Sequence, residues 1–252
     1  MSYWKDRFKA AGIHLAISVC IAALAAALVF AVWYPYPYRE ISGGRELFLI
    51  LIGVDVILGP SITLAIFNRA KPSRELRRDL MIVGLIQLAA LGYGLQTLFV
   101  ARPVHLVFEL DRFRVVHAVD VPSDLMGKVP AGIDALPLSG PTPLSLRRFT
   151  DRREEQDATL AALQGISLSS RPDLWQTYDA GREQILAAAK PADQLKSRFA
   201  ARAGEIDAAL ARAGRQAATT AYLPLVGRKS FWTAFVDPVT ADVVGFMPLD
   251  SF

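Results

Sequence analysis

Three long apolar runs constrain this chain more than any other feature: Ile13 to Val32 (IHLAISVCIAALAAALVFAV), Leu47 to Phe67 (LFLILIGVDVILGPSITLAIF) and Leu80 to Val100 (LMIVGLIQLAALGYGLQTLFV). Each is long enough to cross a bilayer core of roughly 30 Å, which takes about 20 residues at about 1.5 Å of helix rise each. The mean hydropathy of +0.29 is high for a soluble protein, and these runs explain it. The reading is a membrane protein: a three-helix transmembrane bundle over residues 1–100, with spans near 13–32, 47–67 and 80–100, followed by an α+β domain over residues 101–252.

The first run is too long for a secretory signal, whose apolar core is typically about 7–15 residues. Ala25-Ala26-Ala27 resembles a cleavage site but lies inside the run. Trp33-Tyr34-Pro35-Tyr36-Pro37-Tyr38 follows, and such rings sit well at the headgroup level. Lys and Arg then set the orientation. Lys5, Arg7 and Lys9 precede the first span, and Arg69, Lys71, Arg74, Arg77 and Arg78 fill the second loop. In the first loop Arg39 and Arg45 are cancelled by Glu40 and Glu46. The N-terminus and second loop therefore belong in the cytoplasm, and the C-terminal domain outside. In a bacterium this is the inner membrane, with a periplasmic α+β domain.

Charge excludes a nucleic-acid partner. Residues 1–100 hold ten of the 28 basic side chains and six of the 24 acidic ones, which leaves eighteen of each for the external domain. The net charge of +4 is thus a topology signal, with no basic face left for a polyanion. Cys20 is the only cysteine and lies within the first span, so the external domain has no disulfide or thiolate metal site.

In that domain VHLVFEL (Val104 to Leu110) and RFRVVHAV (Arg112 to Val119) alternate as strands. A loop rich in Pro and Gly is expected from Val121 to Leu144. Helices are expected over Arg152 to Leu163, over Arg171 to Lys190 with Ser170 as N-cap and Pro172 in the first turn, and over Asp193 to Arg212. TAYLPLVG, SFWTAFVD and DVVGFMPL close the chain as strands, the last two joined by Asp237 to Asp242.

The marks of catalysis are absent: no G-x-S-x-G elbow, no H-E-x-x-H and no glycine-rich phosphate loop. His105 and His117 fall in strands without a cluster of Cys, Asp or Glu, which favours ordinary strand histidines over a metal site or a base. Arg112, Arg114, Arg228 and Lys229 could bind an anion but fit solvated strand and turn positions better. No cofactor is implied.

RFKAAGIHLAISVCIAALAAALVFAVWYP, LFLILIGVDVILGPSITLAIF and FVARPVHLVFELDRFRVV resemble the type IV pilin accessory proteins (the TfpX, TfpY and TfpZ type), and LPLVGRKSFWTAFVDPVTADVVGFMPLD is similar to the C-terminal end of that family. The resemblance implies a non-enzymatic inner-membrane factor that assists or modulates assembly of its cognate type IV pilin. It supplies no catalytic residues, and it covers roughly the N-terminal half and that C-terminal end, leaving about residues 120–215 unmatched.

One carboxylate, Asp55, lies near the middle of the second run. A charged Asp at a helix centre costs about 2.5–3.5 kcal/mol, so it rarely faces lipid. Intramembrane aspartyl proteases need a pair of carboxylates, whereas the spans contain one, and no second ionisable group aligns with it for a proton relay. The expectation is a neutral Asp hydrogen-bonded to Tyr93 or Gln87 on the third span, contributing on the order of 1 kcal/mol to helix association. Gly59-Pro60, one turn on, permits a kink. Ala16, Cys20, Ala23 and Ala27 form a small-residue seam suited to docking a pilin helix, and Ala90 with Gly94 forms another. The loop from Val121 to Leu144 is the candidate contact for the pilin head. Two other function classes remain open, a membrane sensor with an external ligand domain and a membrane enzyme modifying pilin. The sensor lacks a cytoplasmic output domain, and the enzyme has only Glu40 and Glu46 as carboxylates in the first loop.

Overall fold

A computed structural model of the protein describes residues 2–252. The chain divides into two compact units, Met1–Arg39 with Gly43–Ala101 and Glu40–Ser42 with Arg102–Phe252.

The first unit holds three helices long and apolar enough to cross a membrane, over Trp4–Trp33, Gly44–Ile66 and Ser73–Val100. The second span packs against both of the others. Side chains such as Leu24, Ile50, Ile57, Leu85 and Ile86 are exposed, a surface that suits lipid and not water. The helices depart from regular α-geometry in two places, π-helical turns over Val29–Trp33 and Val54–Leu58. The second turn immediately precedes Gly59-Pro60. Pro60 has no N–H to donate and its ring crowds the carbonyl four residues back, so the helix widens locally. Ser61 Oγ donates to the Ile57 carbonyl at 2.6 Å in the same region.

Tyr34 closes the far end of this unit. It is buried, and its hydroxyl donates to the Leu98 carbonyl at 3.0 Å, tying the end of the first span to the third. A Cβ on Gly44 would overlap the Tyr34 ring, so glycine is what lets the second span begin there. The aromatic segment expected as a headgroup belt is therefore divided: Tyr36 is exposed, while Tyr34 works inside the bundle.

The second unit is built on one mixed sheet of eight strands: β1 (Pro103–Glu109), β2 (Arg112–His117), β3 (Thr142–Leu146), β4 (Trp175–Thr177), β5 (Lys190–Pro191), β6 (Ala221–Val226), β7 (Phe231–Val236) and β8 (Val243–Met247). The order is β4-β3-β1-β2-β6-β7-β8, with β5 also on β6. β1 runs parallel to β3, and β2 runs parallel to β6, while the other pairs are antiparallel. Every residue of β1 is buried, as a central strand covered on both faces requires. Val104 and Val107 pack with Leu144, Leu174 and Trp175, whereas Leu195, Ile206 and Leu210 lie with Tyr222, Phe235 and Met247.

The expected bundle-plus-α+β architecture is the one observed, and the helix over Arg152–Leu163 forms with the Asp151 carboxylate capping the Glu154 N–H at 2.8 Å. Three local expectations are corrected. The stretch Arg171 to Lys190 is not one helix: it gives β4 over Trp175–Thr177 and a helix only over Arg182–Ala188. Trp175 is buried and its indole N–H donates to the Ser169 carbonyl at 2.8 Å, so tertiary burial outweighs helical propensity. The Pro/Gly-rich loop ends in a strand, since β3 takes Leu144 and Leu146 into the core beside β1. The helix expected over Asp193 to Arg212 breaks after Arg198 and resumes at Ala203.

Candidate functional site

Polar side chains in the membrane-embedded unit collect where the three spans meet. His14 Nδ1, on the first span, lies 2.6 Å from Thr63 Oγ1 on the second. Gln87 Nε2, on the third, donates to the backbone carbonyl of Asp55 at 3.2 Å. Asp55 is buried, and its Oδ1 has no hydrogen-bond partner. His14, Ser18, Asp55 and Gln87 line one cleft of about 200 Å³ among the spans. A second groove of about 310 Å³ runs between the second and third spans, walled by Leu51, Ala90, Tyr93 and Gly94, and it also reaches Asp55.

The structure thus unites Asp55 and Gln87, but through the main chain of Asp55 and not its carboxyl. Tyr93 shares a groove with Asp55 while standing 78% exposed. An ionisable neighbour does exist for Asp55, because His14 lines the same cleft. Sequence position hid it, since His14 sits at the edge of its run. The signal available is that His14 lies near the start of the first run and Thr63 near the end of the second, the same side of the membrane for consecutive spans.

The first span carries two small-residue seams. Ser18, Ala22 and Ala25 are buried inside the bundle. Ala16, Cys20, Ala23 and Ala27, the seam singled out in the sequence, are all exposed on the helix surface. Ala90 and Gly94 lie on the groove side of the third span, where a Cβ on Gly94 would meet Leu51.

In the sheet unit His105 is a structural residue. It is fully buried, holds Thr142 Oγ1 at 2.7 Å and the Ala135 carbonyl at 3.0 Å, and meets the Trp175 ring edge-on at 4.6 Å. Burial pushes its pKa down to about 4, and so it is neutral. His117 differs: its Nδ1 lies 3.0 Å from Asp120 Oδ2, a carboxylate that the strand pattern did not connect to it. Among the described residues no group of three or more His, Cys, Asp or Glu is gathered as a metal site.

Three membrane-crossing helices with an interior polar cluster, followed by a mixed-sheet domain, define a polytopic membrane protein whose soluble part is an α+β module. The family model described as fimbrial assembly protein FimB matches residues 2–43. The chain is 34% identical to the fimbrial assembly protein of serogroup I from Dichelobacter nodosus over 98% of both chains, and 33% identical to that of serogroup E1 over the same shares. The protein of serogroups C1 and C2 is 42% identical over 46% of this chain and 92% of its own length. No solved structure matches. The chain belongs to the fimbrial assembly protein family, and its role lies in fimbrial biogenesis.

Proposed function

We propose that this protein is a non-enzymatic accessory factor of the bacterial inner membrane that assists or modulates assembly of its cognate type IV pilin. The N-terminus lies in the cytoplasm and the sheet domain in the periplasm. The observation that carries the reading is the full-length likeness to fimbrial assembly proteins, which spans both units.

Pilin contact is made on two surfaces. In the membrane, the outward Ala16/Cys20/Ala23/Ala27 seam lets a partner helix approach closely, where packing in lipid rests on van der Waals fit and a few hydrogen bonds. The unmet Asp55 Oδ1 offers one such bond to a donor entering the adjacent groove. Outside, the part of the Val121–Leu144 loop that precedes β3 supplies specificity, because polar loops reject a mismatched head.

Photocrosslinkers at Ala23 and Gly140 test this in cells. Both should capture pilin of unchanged mass. Capture at neither site, with the protein normally expressed, overturns the contact mechanism, and a changed pilin mass that depends on this protein points to enzymatic modification.

A further inference from the structure

The sheet unit contains an open cleft of about 590 Å³ beside the end of β6. Its position follows from register. β2 and β6 run parallel and pair only at Phe113↔Leu225 and Arg114↔Val226, after which β6 ends and the chain turns at Gly227. The last residues of β2 therefore have no strand beside them on that side. Arg114, His117, Asp120, Ser167, Ser170 and Arg228 line the space so opened.

The carboxylates of this region are already engaged. Glu109 accepts from Arg114 Nε at 2.7 Å with one oxygen and from the Ser169 N–H at 3.2 Å with the other. Asp120 accepts from His117 Nδ1 at 3.0 Å and from the His117 N–H at 3.3 Å, and Arg228 lies 3.4 Å away. Burial pushes the Asp120 carboxyl up, but the hydrogen bonds from His117 and the charge of Arg228 outweigh it and hold Asp120 below its ordinary value. An ionised carboxylate only accepts, so His117 Nδ1 is the donor in that bond.

That Nε2 has no partner, although the His117 side chain is only 2% exposed. A buried polar atom left unmet is costly, which marks it as a place for a hydrogen-bonding group of a ligand. Each guanidinium has five N–H donors in a planar fork, and the contacts above use one from Arg114 and one from Arg228. The paired hydroxyls of Ser167 and Ser170, 2.6 Å apart, add groups that rotate to donate or accept.

We propose that this cleft binds a small hydroxylated anion, a sugar acid or sugar phosphate in its chemistry, with Arg114 and Arg228 taking the charge and His117 Nε2 hydrogen-bonding to a hydroxyl. The volume lies within the range of small-molecule sites, about 300–1,000 Å³. Arg supplies the flat, forked recognition that carboxylate and phosphate share. The site is independent of pilin contact and neither requires nor excludes it.

Isothermal titration of the purified full-length protein in detergent, with no pilin present, tests the proposal. Glucuronate and glucose 6-phosphate are the probes, glucose is the neutral control, and the ratio of the two affinities distinguishes carboxylate from phosphate. At least one anion should saturate a single site while glucose does not. Arg228→Gln removes a partly exposed side chain and leaves the fold intact; it should weaken that anion about tenfold or more. His117→Gln should weaken it also, yet leave inorganic sulfate, which has no hydroxyl, little affected. Arg112→Gln, outside the cleft, should change nothing. Saturation by neither anion, or equal affinity in wild type and Arg228→Gln, overturns the proposal.

Discussion

His14 and Thr63 stand 49 positions apart and meet at 2.6 Å, the imidazole Nδ1 of the first span against the hydroxyl of the second. In lipid such a bond has few competitors for its donor, but the separated helices find partners too, so its net worth is about 0.6 kcal/mol and up to ~1.7. A double-mutant cycle of His14→Phe and Thr63→Val, read as unfolding free energy in bicelles, should return a coupling of that size. Additive single mutants would show that the pair does not hold the spans together.

Gly59 and Gln87 form a second test between spans. A Cβ at position 59 would overlap the Gln87 amide, which now reaches the Asp55 carbonyl. Gly59→Ala should displace that amide and cost about 1 kcal/mol, the scale of a lost interhelical bond. In a Gln87→Ala background the collision is gone, and the same substitution should be neutral or favourable, because alanine suits a helix interior better than glycine. An equal penalty in both backgrounds would place the strain elsewhere.

The Asp55 carboxyl separates bundle stability from partner recognition. Because Gln87 bonds to the main chain, Asp55→Leu keeps that bond and removes a buried, unmet Oδ1 whose desolvation costs about 1–3 kcal/mol. Bundle stability should therefore hold or rise in Asp55→Leu, while piliation falls. Asp55→Asn, which preserves an acceptor at that place, should retain piliation. Loss of piliation in Asp55→Asn at normal protein level would instead indicate a proton-dependent role.

Local periodicity in this sequence was readable, and chemistry that depends on tertiary contact was not. Twenty-residue apolar runs and alternating strands are local patterns, so the spans, β1, β2 and the closing strands β6 to β8 could be assigned directly. β4 could not, because Trp175-Gln176-Thr177 becomes a strand only through its pairing with Ser145 and its neighbours. The same holds for the site. Asp55 announced itself as a carboxylate in an apolar run, but which of its atoms meets Gln87 depends on a helix widened ahead of Pro60. His117 and Asp120 are three residues apart, yet their pairing forms at the exit from β2 and not within a regular element that would have predicted it.

Topology follows from the basic loops and is directly measurable. With Arg69, Lys71, Arg74, Arg77 and Arg78 inside, a periplasm-dependent reporter at Phe252 should be active and one at Arg74 silent. The reverse pattern would place the sheet domain in the cytoplasm and remove it from contact with a pilin head.

His105 should make the sheet domain sensitive to acid. The ring is fully buried and neutral, donating from Nε2 to the Ala135 carbonyl and accepting at Nδ1 from Thr142. Burial lowers its pKa to about 4 from an ordinary 6.5. The unfolded chain thus takes up a proton that the folded one refuses, and stability is complete above about pH 6.5 and declines as pH falls toward about 4. The slope is at most about 1.4 kcal/mol per pH unit, and the loss is on the order of 3 kcal/mol across the window. His105→Gln lowers stability at neutral pH by disturbing the Thr142 and Trp175 contacts, but it removes the titrating group. Subtracting its urea-unfolding profile from that of the wild type should leave a slope confined to pH 4–6.5. A difference that is flat across that window would mean that His105 is protonated in the folded protein as readily as in the unfolded chain.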